Sequence, residues 1–473
     1  LIEVYNAGRM KGRSLLAVLA VLCAFAALAA VPPLDDPARQ LARDIYRQLI
    51  ELNTTESSGN CTIAAQAMAA RLKAAGYADE DVQVLVPAGA PRKGNLVARL
   101  RGSGKGGRPL LLLAHLDVVE ASRDDWSLDP FLLTEKDGYF YGRGTSDDKA
   151  MAAAWIANLI RYKREGFVPA RDLIVALTAD EETGTSNGVS WLLAQHRPLI
   201  DAAFALNEGG GGRLKDGRRL YNGVGASEKV YVSFQLTARN KGGHSSVPRK
   251  DNAIYELAAA LGRLQAYAFP VKLNEVTRAY LARMSAMEEG QTAADMKAAA
   301  AGDAAASARL SDLPVYNAIL RTTCVATRLE GGHADNALPQ QARATINCRV
   351  LPGESPDAVH DTLVATIDDP LIEVSWIDKA KPSVPSPLSP EVIGAIEEVT
   401  QEFWPGVPVI PTMATGASDG LYLRNAGIPT YGVSGLFSEV GDSRAHGRDE
   451  RVAVTSFYDS VQFLYTLVKR MAS

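Results

Sequence analysis

Cysteine is scarce in this chain: there are 4 in 473 residues, at positions 23, 61, 324 and 348, too few to staple a fold together. Neither sign of charge dominates. With 50 Lys and Arg against 54 Asp and Glu the net charge is −4, which leaves no basic footprint for nucleic acid and no polybasic patch for an anionic membrane. No nucleic-acid partner is expected. The apolar stretch Leu15 to Ala29 falls short of the roughly 20 residues that a bilayer-spanning helix needs, so no stable membrane anchor is expected either. What remains is a chain long enough for two or more domains and a large core.

That apolar stretch has a different reading. Met10-Lys11-Gly12-Arg13 is a short basic segment, and Ala27-Leu28-Ala29 supplies an A-x-A pattern just before Val31, the makeup of a cleaved secretory signal. Met10 is the expected start, residues 1–30 the expected signal and upstream segment, and a periplasmic or secreted location the consequence. Cys23 leaves with the signal. Cys324 in RTTCVAT and Cys348 in TINCRV lie on two strand-like runs on either side of a turn near Asn336. That placement allows one bridge in an oxidising compartment.

The stretch from Leu110 to Lys149 organises the rest. Leu110 to Leu113 is a continuous apolar run suited to a strand buried on both faces, and His115 and Asp117 fall where it ends. Ligands of open α/β sheets bind outside the carboxyl ends of the strands. Beyond a polar loop, Gly142-Arg143-Gly144 leads to Asp147 and Asp148, just ahead of a helix-like run, Lys149 to Ile160. One His and up to three carboxylates thus converge on one cleft, the donor set of a metal site. Taken alone, an HxD at a strand end is commonplace, and a DD before a helix reads as an N-cap pair. Three further clusters weigh against that plain reading: TADEETG at Thr178 to Gly184, ALNEGG at Ala205 to Gly210 and AHGRDER at Ala445 to Arg451 each follow or adjoin an apolar run. Solubility does not explain acid and His clusters placed repeatedly at strand ends.

Periodicity gives the surrounding architecture. Helices at Pro37 to Glu51 and Thr62 to Ala75, strands at Val82 to Val86, Asn95 to Leu100 and Leu173 to Thr178, and a helix at Val189 to His196 alternate as in an α/β domain with a largely parallel sheet. From Lys229 the pattern changes. A long alternating strand to Ala238, a Gly-Gly-His loop, a helix from Ile254 to Ala266, two strands around Cys324 and Cys348, a helix from Pro356 to Ile367 and a strand from Ile372 to Ile377 follow in turn. That β-α-β-β-α-β order is ferredoxin-like. The Ala-rich Lys272 to Leu310 reads as helical decoration without chemistry, and His196, His333 and His360 as helix-surface or turn residues. From about Ser386 the first domain resumes, with a helix at Pro390 to Phe403, strands at Val407 to Ile410 and Ile428 to Gly432, and a closing helix at Thr455 to Lys469. The expected fold class is α/β, a mixed and mostly parallel sheet flanked by helices, spanning 31–226 and 383–473. An inserted ferredoxin-like α+β module over 227–382 is free to act as a lid.

In chain order, HLDVV, WSLDPF, DGYFYGRGTSDDK, TADEETG, ALNEGG, GGHSSVP, HADNALPQQARATINCRVLPG, TGASDGLYLR and AHGRDERV look like the co-catalytic dizinc metallopeptidases that include aminoacylase, carnosinase, carboxypeptidase G and the yeast vacuolar carboxypeptidase. The match spans nearly all of the chain after the signal. The resemblance implies a zinc-exopeptidase-like fold and two Zn²⁺ per chain, with Co²⁺ or Mn²⁺ as alternative occupants of the same ligands. His115 and Glu208 would bind from one side each, Asp147 would bridge, and Glu182 and His446 would complete the two shells. Asp147 rather than Asp148 is the ligand, because relatives with a single acid keep it two residues ahead of the Lys; Asp148 is left as a capping or supporting group. Asp117 would orient the imidazole of His115, and Glu181 would be the general base.

The same resemblance makes His244 the residue that steadies the oxyanion, supplied across a homodimer formed through the lid. Asn336 and Arg349, with the Gly416 to Ser418 loop, are candidates for holding a substrate carboxylate, a task that suits the Arg fork. For Asn336 a turn-forming role, and for Arg349 a strand-edge charge, stand equally open. The implied activity is hydrolysis of the amide next to a C-terminal amino acid in dipeptides, short peptides or N-acyl amino acids. Deacetylation or decarbamoylation on the same scaffold is the alternative, and a binding protein that has lost catalysis the remote one.

Overall fold

A computed structural model describes residues 33–473 apart from Gly184 and Ala380; the expected signal, at residues 1–30, lies outside the described residues. Among the described residues no helix is long and apolar enough to cross a membrane.

A ten-stranded mixed sheet forms the larger body. At its centre four strands run parallel and side by side, in the order Leu173–Thr178, Leu110–His115, Phe204–Asn207 and Thr430–Gly432. The apolar run at Leu110 is buried on both faces as its sequence predicts. Leu110, Leu112 and Ala114 join one core, Leu111 and Leu113 the core on the opposite face. Helices Asp36–Glu51, Lys149–Arg164 and Val454–Met471 cover the first face, and Lys149–Arg164 is buried on every side, with Trp155, Ile156 and Leu159 fully enclosed.

Four strands in the larger sheet are absent from the sequence reading: Phe204–Asn207, Gly211–Lys215, Arg218–Glu228 and Phe437–Glu439. Glycines hide Gly211–Lys215 and Arg218–Glu228, and Phe204–Asn207 and Phe437–Glu439 are only 4 and 3 residues long. Gly210 and Gly225 have no room for a side chain, since a Cβ would come within 2.0 Å of the Gly432 carbonyl oxygen and 2.5 Å of that of Gly209. A stretch that reads as loop is therefore backbone packed tightly on backbone, directly behind Glu208.

Between Arg218–Glu228 and the parallel strand Val409–Ala414 the chain builds a second sheet. Val230–Arg239, Thr323–Gly331, Gln341–Val350 and Ile372–Asp378 form an antiparallel four-stranded sheet in which Thr323–Gly331 is an edge strand and Val230–Arg239 is central. Helices Ala253–Ala266 and Pro356–Ile367 pack on one face around Phe234, Leu257, Ile346 and Leu363. This is the expected ferredoxin-like arrangement. His360 is more than a surface residue, since its ring stacks on Trp376 with centroids 5.5 Å apart.

The Ala-rich insert forms four helices, Glu275–Met284, Gly290–Ala300, Ala304–Ser311 and Pro314–Leu320. They belong to the second sheet in sequence and to the first body in packing. Leu281, Met296, Leu310 and Leu320 enclose Ile410 of the larger sheet, and Arg283 donates to the Val409 carbonyl at 2.7 Å. The insert thus ties the module to the larger body.

Cys324 and Cys348 face each other across the sheet and form a disulfide, while Cys61 is buried and free. The bridge closes a separation of 24 residues, and a loop of that size is worth about 3 kcal/mol through restriction of the unfolded chain. Replacing both cysteines by Ser is expected to lower the denaturant-derived stability by about that amount. In the denatured, unreduced protein Cys61 is expected to be the one reactive thiol among positions 61, 324 and 348.

Candidate active site

The carboxyl ends of the central parallel strands carry the candidate ligands. His115 ends Leu110–His115, Glu208 follows Phe204–Asn207, and Glu181 and Glu182 stand in the turn after Leu173–Thr178. Asp147 comes from the loop ahead of Lys149–Arg164, across a cis peptide bond to Asp148. His446 arrives from the far end of the chain. His115 Nε2 lies 2.9 Å from Asp147 Oδ1 and 3.9 Å from Glu208 Oε1. His446 Nε2 lies 3.2 Å from Asp147 Oδ2 and 3.0 Å from Glu182 Oε2. Two trios of ligand atoms result, each within 4.8 Å of one another: His115, Asp147 and Glu208, and Asp147, Glu182 and His446. Asp147 is common to both. A third grouping joins Glu181 to His115 and Glu182, so Glu181 reaches the same space.

The charge state reflects this crowding. Burial, with the charges of Asp419, Glu182 and Asp117 adding to it against that of His115, pushes the Glu181 carboxyl up to about 9. Burial and the charge of Asp147 lift Glu182 to about 7, and burial holds Glu208 and Asp148 well above the usual carboxylate range. For Asp147 burial also opposes ionisation, but hydrogen bonds from His115 and His446 outweigh it and keep its carboxyl low. Its hydrogen bond to Asp147 raises His446 to about 9. Carboxyls that cannot all ionise, mixed with imidazole nitrogens in two trios sharing one oxygen-donor residue, fit a pair of divalent cations of the kind that accept both N and O.

Several neighbours act through the backbone. The His115 Nδ1–H donates to the main-chain carbonyl of Asp117 at 3.0 Å, so it is the carbonyl of Asp117 that fixes the ring, and the carboxylate stands 3.8 Å away. That carboxylate instead accepts the amides of Glu181 and Glu182, at 3.2 and 2.9 Å. Asp148 occupies the N-cap position of Lys149–Arg164, yet its side chain makes no capping bond, which corrects the capping role expected of it. Glu450 is fully buried and pairs with buried Arg143 at 2.7 Å. Breaking such a pair costs about 3 to 5 kcal/mol. Asp180, with φ of 68°, accepts from Lys93, Thr183 and the Ser186 amide and shapes the turn that presents Glu181. Asp419 is held by Asn187 and Thr178, and burial lifts it to about 6.

Sequence reasoning assigned no role to Glu450, Asp180 or Asp419. All three sit inside the quoted motifs AHGRDERV, TADEETG and TGASDGLYLR, but nothing in a motif tells an acid that holds a loop from an acid that faces solvent.

The residues proposed for substrate are split. Arg349, half-buried on Gln341–Val350, donates to the Thr415 carbonyl at 3.3 Å and stacks over Tyr231, which brings it to the loop of Gly416 and Ser418. Ser418 is engaged from behind, donating to Glu228 at 2.7 Å. His244 and Asn336 lie together on the module, where Gly243–His244 pairs with Ala337–Leu338 and the Ser245 amide donates to the Asn336 carbonyl at 3.1 Å. Both are exposed. Among the described residues neither bonds to the ligand cluster.

The model of peptidase family M20/M25/M40 matches residues 111–470. Similar relatives include an N-fatty-acyl-amino acid synthase/hydrolase of Xenopus tropicalis, 30% identical over 78% of this chain and 74% of the relative. A probable carboxypeptidase S-like protein of Dictyostelium discoideum is 29% identical over 79% of this chain and 74% of the relative. Among solved structures, an M20 family metallo-carboxypeptidase from Sulfolobus solfataricus shares the fold, with a TM-score of 0.68 at 16% identity over 91% of this chain and 99% of that one. The matched span contains both ligand trios and Glu181, and on that footing the chain belongs to peptidase family M20/M25/M40, as a metal-dependent peptidase or amidohydrolase.

Proposed function

We propose that the protein is an exported dizinc hydrolase that cleaves the amide next to a free C-terminal amino acid, in dipeptides, short peptides or N-acyl amino acids. The observation that supports this most strongly is the pair of ligand trios sharing Asp147. In this reading His115, Glu208 and Asp147 hold one zinc, and Asp147, Glu182 and His446 the other. The two ions, when bound, supply Lewis acidity for the carbonyl and the attacking water.

The remaining steps fall to this chain's side chains. Glu181 takes a proton from the attacking water as the C–O bond forms, and returns it to the amide nitrogen as the C–N bond breaks. Arg349 and the Gly416 to Ser418 loop hold the substrate carboxylate. His244 stabilises the oxyanion, delivered from a partner subunit. Support for that delivery is its exposure and its separation from the ligand cluster, together with an edge strand, Thr323–Gly331, that leaves Val325 and Leu329 exposed at 59% and 68%. Support for export is the basic and apolar pattern at Met10 to Ala29 and the Cys324–Cys348 bridge, which an oxidising compartment favours.

Both relatives bear on the substrate. One is named for N-fatty-acyl-amino acids and the other for carboxypeptidase activity. The two substrate types present the same group to Arg349, an amino-acid carboxylate beside an amide.

Elemental analysis of the purified protein is expected to give two zincs per chain, and chelation to abolish release of the C-terminal amino acid from a panel of dipeptides and N-acyl amino acids. Two metals with no turnover on either panel redirects the search to acetyl and carbamoyl amino acids; no metal refutes the proposal. Glu181→Ala is expected to keep both metals and lose roughly 10²- to 10⁴-fold in kcat, while loss of a metal makes Glu181 a ligand. Arg349→Met is expected to raise KM by roughly ten- to a hundredfold, the worth of a hydrogen bond to a charged group, with a smaller effect on substrates whose carboxylate is amidated.

A further inference from the structure

We propose that Glu450 is a positioning residue that locks the loop carrying Asp147 to the loop carrying His446, and so sets the spacing of the metal ligands those loops present. This rests on the metal-centre reading above. Both loops lead to one carboxylate. Glu450 Oε2 accepts from Arg143 Nη1 at 2.7 Å and from the Gly144 amide at 2.9 Å. Its Oε1 accepts from the Ser146 amide at 2.6 Å, the Ser146 hydroxyl at 2.8 Å and the Asp147 amide at 3.1 Å. Five donors therefore fill it, and Asp147 itself supplies one.

On the other side Glu450 is four residues from His446, and the turn between them is closed by the same partners. Arg143 Nη2 donates to the Gly447 carbonyl at 2.8 Å, and the Gly142 amide donates to the Glu450 carbonyl at 3.1 Å. The side chain is fully buried, so water cannot replace the lost bonds. Glu450 is no ligand itself, because five donors fill its two oxygens and it belongs to neither trio.

Only a carboxylate satisfies this site. A Gln at 450 keeps the size but turns an NH₂ toward two or three N–H and O–H donors, whichever way the amide is placed. The loop must then shift, and Asp147 with it.

The test uses the full chain, as purified and after removal of metal. Glu450→Gln is expected to fold, with wild-type circular dichroism, and to show amide hydrogen exchange at Gly144, Ser146 and Asp147 at least tenfold faster in the metal-free protein. Zinc titrated back by calorimetry is expected to bind at least tenfold more weakly in one of its two steps. kcat is expected to fall at least tenfold, and KM to change by less than threefold. Ser146→Ala, which removes one of the five donors and leaves the buried charge paired, is expected to weaken zinc two- to threefold in the same step. Wild-type exchange and zinc affinity in Glu450→Gln overturn the proposal, as does lowered thermal stability with unchanged zinc affinity. Should Glu450→Gln not fold, wild-type exchange and affinity in Ser146→Ala overturn it. Exchange is read without metal or substrate, so a parent chain that binds no zinc defeats the metal-centre reading while the loop-locking role is still scored.

Discussion

The structure depends on crowding like charges at the end of a buried sheet. Two unit charges 4 Å apart interact by about 4 kcal/mol at the effective dielectric of a protein surface, and more where water is excluded. Asp147, Glu182 and Glu208 are packed at such separations with two imidazoles between them, and Glu181 stands beside them. Without compensating positive charge the acids resist ionisation, which is why burial lifts Glu181, Glu182 and Glu208 while the one acid bonded by both imidazoles stays low. Divalent cations reverse that balance by making every carboxylate favourable at once. A cluster so costly to assemble from side chains alone needs a frame that holds it in place.

The parallel strands and a set of backbone-binding acids provide that frame. Strand ends fix His115 and Glu208 directly, because each lies within a residue of a hydrogen-bonded ladder whose side chains are buried on both faces. The ligands on loops lack that support, and each loop is organised instead by a carboxylate aimed at main-chain amides: Asp117 for Glu181 and Glu182, Asp180 for the turn up to Ser186, and Glu450 for Ser146 and Asp147. Acids thus play two parts here, as candidate donors to a metal and as organisers of backbone. What separates the parts is whether a carboxylate's oxygens are filled by N–H groups or left open toward the cluster.

Much of this was legible in the chain. The apolar run ending in His115 announces a buried strand, the change to alternating apolar and polar residues at Lys229 announces a sheet covered on one face, and both strands lie within a few residues of the bounds their patterns give. Ligand candidates were legible because chemistry requires particular residue types at strand ends, and the family match spans the same motifs. The glycine-rich strands behind Glu208 were not legible, since their stability comes from close backbone approach and leaves no side-chain period to detect. Nor was it legible that the carbonyl of Asp117, not its carboxylate, would orient His115, or that Asp148 would leave its helix uncapped. Such choices are made by geometry over distances of a few ångströms, and pattern carries no record of them.

The four-helix insert changes what the second sheet is mechanically. A module spliced into another body by two chain crossings can turn about the line joining them, like a flap on a pair of pins. Here the chain leaves the module near Phe269, packs Leu281, Met296 and Leu310 around Ile410 of the larger sheet, and returns near Thr322. The flap has become a bracket with a third mount. Any swing of the module must now bend four chain crossings instead of two, because the insert's helices stay packed on the larger sheet at Ile410.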